Sequence, residues 1–132
     1  MATTTRTTNE IIEPALWGVF FAQFTRDFRG AHATLEVLGP GVGYQVMTND
    51  WPFDGLTADF KDKERTIWIT FGFGANQEDH LAHGIHNVVA VRTGPAPART
   101  AAVLEIEGKD GDRTLLTLTR PEDYALPPGS RK

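Results

Sequence analysis

The stretch AHATLEVLGPGVGYQVMTNDWPFDGLTADFKD, Ala31 to Asp62, decides the fold. In its first part Ala33, Leu35 and Val37 alternate with His32, Thr34 and Glu36, the two-residue period of a strand with one buried face. Gly39-Pro40-Gly41-Val42-Gly43 turns the chain, and Tyr44 to Met47 runs back as a second strand. From Asn49 to Gly55 the residues that favour turns gather again, which predicts a second, wider turn. Leu56, Ala58 and Phe60 then face inward on a third strand, with Thr57, Asp59 and Lys61 outward. Strand, turn, strand, turn, strand starts an antiparallel sheet.

Upstream, Pro14 suits the first turn of a helix, where its missing N–H costs nothing. Trp17, Phe20, Phe21, Phe24 and Phe28 follow at the spacing that lines one helical face, with Gln23, Arg26 and Asp27 mostly on the other. Gly30 can take the left-handed conformation that ends a helix. The aromatic face is expected to cover one side of the sheet.

Downstream, Asp62-Lys63-Glu64 is a polar turn, and Ile67, Ile69 and Phe71 form the inner face of a fourth strand with Trp68 opposite. Residues 72–81 break the alternation, and one helical turn around Gln77 to His80 fits there. Val88 to Val91 is apolar on both faces, which predicts a central or doubly covered strand. Leu104 and Ile106 alternate with Val103, Glu105 and Glu107. Lys109-Asp110-Gly111-Asp112 is a hairpin signal, and Thr114 to Thr119 is the return strand. The sum is an α+β domain: one N-terminal helix on a strongly bent antiparallel sheet, or a partly closed small β-barrel, of about seven strands. Residues 1–12 and 120–132 read as tails around a single domain at 13–119.

A chain of 132 residues suits one domain. The net charge is −4, with acids and bases interleaved, which argues against nucleic-acid binding because phosphate neutralisation needs a basic patch. There is no cysteine, and Ser130, in the trailing segment, is the sole serine. Serine and cysteine hydrolase chemistry is therefore excluded. The longest apolar cluster, Ala15 to Phe24, falls short of the roughly 20 residues that span a bilayer. A cytoplasmic location without membrane contact is the default expectation.

The glycine turn at 39–43 is not a phosphate loop, because a strand follows it where such loops need a helix N-terminus. Asp59, Asp62, Glu64, Glu105 and Glu107 fall on outer faces beside lysines and arginines, as a solvated surface places them. Three of the four histidines lie within His80 to His86, beside Glu78 and Asp79. On a helix His80 and His83 would share a face, so Asp79, His80, His83 and His86 are candidate ligands for a divalent metal, the one cofactor the sequence suggests. The competing reading is a polar turn whose imidazoles satisfy backbone groups. Trp51 and Phe53 in the expected turn, with Trp68 on the outer face, are candidate partner-binding residues.

Five segments carry a resemblance: W-x-x-F-F-x-x-F at Trp17 to Phe24, L-E-V-L-G-P-G-V-G at Leu35 to Gly43, G-L-T-A-D-F-K at Gly55 to Lys61, D-H-x-x-H at Asp79 to His83, and L-E-I-E-G-K-D-G at Leu104 to Gly111. Together they resemble an uncharacterised family of short bacterial proteins, a domain of unknown function, over roughly Trp17 to Leu118. The resemblance implies a bacterial, intracellular single-domain protein and brings no activity with it. The expected function is non-enzymatic: a small β-domain acting by binding, most often to a second copy through sheet edges or the Trp68 face. The alternative is a metal-binding protein or metal-dependent enzyme built on the histidine cluster. A barrel holding a small apolar ligand ranks lower, because the inner residues look large enough to fill it.

Overall fold

The computed structural model describes residues 10–72, 80–94 and 100–120. Among these residues are one α-helix and an eight-stranded antiparallel sheet that does not close on itself. A 3₁₀ turn at Pro14–Leu16 leads into α1, Trp17–Phe28. The strands are β1 (Glu10–Ile11), β2 (His32–Gly39), β3 (Gly43–Asp59), β4 (Thr66–Gly72), β5 (His80–Ile85), β6 (Val88–Thr93), β7 (Ala102–Gly108) and β8 (Arg113–Thr119). Their order across the sheet is β1-β6-β7-β8-β2-β3-β4-β5. Six of the eight answer the seven expected strands, the second and third of which form one strand, β3. The other two are β5, where the pattern break was expected, and β1, two residues that fall within the segment read as a leading tail.

The helix follows its aromatic pattern. Trp17, Phe21 and Phe24 are buried, while Phe20 and Phe28 pack against them partly covered. Burying each such ring is worth about 1.5–3 kcal/mol, which fixes the helix where its intrinsic propensity would not. The Trp17 indole N–H donates to the Ile12 carbonyl at 3.0 Å. The helix ends at Arg29, and Gly30 turns the chain at φ 92°. Gly30 donates to the Phe53 carbonyl at 2.8 Å, and Phe53 donates back to Ala31 at 2.8 Å, so the helix exit is pinned to β3.

The wide turn expected at 49–55 does not exist. β3 runs unbroken for 17 residues through it. Its first part pairs with β2 and its last part with β4. Register shifts against β2 between Ala33 and Leu35 and between Leu35 and Glu36, and against β4 between Phe53 and Gly55, each give β3 an extra residue. Such bulges bend a strand, and Asn, Asp, Pro and Gly are tolerated at them as they are in turns. Asp50 sits at φ 62° in this bend. The buried Thr48 bridges one shift: its hydroxyl donates to the Ala33 carbonyl at 3.2 Å and accepts from the Leu35 amide at 3.0 Å.

β6 also departs from expectation. It pairs with β7 along its length and with β1 only at Arg92 and Thr93, and Val89 is exposed rather than covered. A register shift between Val88 and Ala90 puts Val88 and Val91 inside despite their odd spacing. Elsewhere the inner face is as read: Ala33, Leu35, Leu56, Ile67, Ile69, Phe71, Leu104 and Ile106 are buried, and Leu116 and Leu118 of β8 join them. Phe60 is half exposed, yet its ring stacks on Trp17 at 5.7 Å. Outside, Arg92 pairs with Glu107 at 2.8 Å and Glu105 at 3.6 Å, and Arg113 reaches Glu105 at 3.4 Å. Those two carboxylates are bound into a cross-strand ladder.

Candidate functional site

The inner face is not uniformly filled. Along β2 it reads Ala33, Leu35, Val37; along β8 backward, Leu118, Leu116, Thr114; along β7, Leu104, Ile106, Gly108. On β3, Gln45 pairs with Val37, and on β5, His83 pairs with Ile69, so both occupy inner positions. Toward the end that carries the β2–β3, β5–β6 and β7–β8 turns, large apolar residues thus give way to small or polar ones on β3, β7 and β8, and His83 interrupts the apolar run of β5. The result is a cavity of about 660 Å³, with apolar walls from Val37, Val42, Met47 and Ile85, polar groups from Gln45, His83 and Thr114, and the charged Lys109, Asp110 and Asp112 along its rim. A second cavity of about 200 Å³ lies between Trp51, Phe71 and Leu81 and shares Met47 and His83 with the first. Together they run along the gap between the first half of β3 and β5, which among the described residues are not hydrogen-bonded to each other.

The rim is held by backbone bonds between turns. Asn87, at φ 54°, accepts from the Lys109 amide at 2.9 Å, and Gly108 donates to the Asp112 carbonyl at 2.9 Å. The Asp112 carboxylate lies against Gly39, where a Cβ would come within 1.9 Å of Oδ1. That buried oxygen has no hydrogen-bond partner among the described residues.

The histidines separate. β5 is a strand, so the shared face that a helix would give positions 80 and 83 does not exist. Asp79 and the expected helical turn at 77–79 fall outside the described residues, and so does the His80 side chain. His83 lines both cavities, and burial, then the charge of neighbouring His86, pushes its imidazole below the ordinary range. His86 follows the strand, its Nδ1 3.3 Å from the Thr66 hydroxyl and its ring edge-on to Trp68. Among the described residues no three histidine, aspartate or glutamate side chains are grouped to hold a metal ion.

The three candidate partner residues also part company. Phe53 is 1% exposed and packs edge-to-face on Phe24, and Trp51 packs edge-to-face on Phe71 at 5.7 Å. Both point inward, so the core takes the rings that a turn would have offered to a partner. Trp68 is on the outer face, half-buried across Gly84. The sequence reading missed Gln45, Met47, Gly108 and Thr114. For Thr114 the signal was present in the alternation, since it shares the parity of Leu116 and Leu118 at a position where a packed core would carry Leu or Ile. Gln45 has no such signal: alternation with Tyr44 and Val46 would turn it outward, and only its pairing with Val37 turns it in.

No helix among the described residues is long and apolar enough to cross a membrane. No curated protein and no solved structure matches the chain. One family does, described as a family of unknown function (DUF5335), over residues 8–127. That match spans nearly the whole chain, and the protein belongs to this family.

Proposed function

We propose that this protein works by binding, and that its ligand is a small, uncharged molecule with an apolar body, held in the cavity between β3 and β5. The observation that carries the reading is the change of inner-face residues at one end of the sheet. A fold selected only for stability fills such positions with Leu or Ile, and departures from that rule concentrate where function is held. The volume lies within the several hundred Å³ usual for ligand pockets, and apolar walls with a few convergent polar groups are what such pockets share. Gln45 and Thr114 supply a donor and acceptors. His83, kept neutral by its burial, favours an uncharged hydrogen-bonding group over an anion.

The test is a titration with the neutral dye Nile red, whose emission rises in apolar sites. Saturable binding at one dye per chain is expected, and Val37→Trp, which fills the cavity, should weaken it roughly tenfold or more. Equal binding by a Val37→Trp chain with unchanged circular dichroism would remove the cavity as the site.

A further inference from the structure

Building on the ligand reading above, we infer that the bound molecule carries an aryl group, seated against Trp51 and Phe71 in the smaller cavity, with its uncharged polar part in the larger one. The smaller cavity measures about 200 Å³. An apolar cavity of about 150 Å³ takes up benzene, so this one has room for a six-membered ring and little more. Its floor is the buried Leu35 and Phe71. Its one hydroxyl, that of Thr48, is already committed, donating to the Ala33 carbonyl and accepting from the Leu35 amide. Among the residues around it only His83 can ionise, and that imidazole also lines the larger cavity, at the junction of the two. Beyond that junction a polar or charged group would find no side chain to pair with, and leaving it unpaired would cost binding.

The walls favour a ring over a chain. Trp51 and Phe71 meet edge-to-face, their centroids 5.7 Å apart and their planes at 86°. Rings set at right angles offer a third ring both stacked and edge-on contact, each worth roughly 2- to 10-fold in affinity. Met47, at the junction, brings a thioether, which favours the edges of aromatic rings. From there the larger cavity continues to Gln45 and Thr114, whose amide and hydroxyl suit a neutral polar end.

The test uses hydrocinnamamide, a phenyl ring on a neutral propanamide, in competition with Nile red on the unmodified chain. It should displace the dye, and propanamide, which lacks the ring, should bind at least about tenfold more weakly. Nuclear Overhauser contacts should join its phenyl protons to the rings of Trp51 and Phe71. Leu81→Trp, which narrows the smaller cavity from the half-exposed β5 side, should weaken it roughly tenfold with circular dichroism unchanged. Nile red binding that Val37→Trp abolishes, but that hydrocinnamamide does not displace, would overturn the aryl assignment and leave the ligand reading standing. Displacement without contacts to Trp51 and Phe71 would do the same. So would tighter binding by the cyclohexyl counterpart, because bulk and not ring faces would then fill the space. Absence of saturable dye binding would overturn both.

Discussion

Trp68 and Gly84 face each other across β4 and β5, and the indole occupies the space a side chain at position 84 would need. A Cβ built on Gly84 would come within 2.6 Å of the ring. A glycine in a strand normally weakens it, and here the aromatic laid across it replaces the missing packing. Gly84→Ala should therefore cost about 1–3 kcal/mol in urea denaturation, the range of overpacking. In a Trp68→Leu background the same change should cost distinctly less, a coupling that a double-mutant cycle measures directly.

Gly39 makes the opposite case. Its built Cβ would meet Asp112 at both the carboxylate and the Cα, the latter at 2.7 Å. Backbone cannot be trimmed away, so Asp112→Ala should not rescue Gly39→Ala. Both the single and the double variant should lose stability by denaturant melt, and recovery in the double variant would show that the carboxylate alone set the limit.

Phe53 distinguishes a core role from a surface role. Phe53→Ala should destabilise by about 3–5 kcal/mol, the cost of emptying a buried aromatic site. A loss below about 1 kcal/mol would contradict its placement between Phe24 and the sheet.

His83 sets a pH dependence. Its folded pKa lies below the unfolded value of about 6.5, so the unfolded chain takes up the proton more readily. Its contribution to stability is therefore full above the unfolded pKa. It declines as the pH falls from there toward the folded pKa, then levels off. A His83→Gln chain should show a flatter stability profile between neutral pH and the unfolded pKa and somewhat below it. Identical profiles would mean that the imidazole is solvated.

Much of this protein was legible in its residues. The aromatic positions of α1, the alternation in β2, β4, β7 and β8, and the glycine of the Lys109–Asp112 turn are local signals, and local periodicity reports which face is buried. The bend of β3 was not legible, because bulges and turns draw on the same residue types, and only pairing with β2 and β4 tells them apart. The histidine cluster misled for a related reason. Proximity in sequence suggested a shared helical face, while strand pairing with β4 assigned His83 inward to a cavity wall. The sequence by itself determined a helix-plus-strand domain with a specified inner face. Tertiary structure decided that this face runs out of bulk at one end and leaves a cavity between β3 and β5. Whether inward positions on five strands meet at one place depends on register and curvature, and those are properties of the whole sheet.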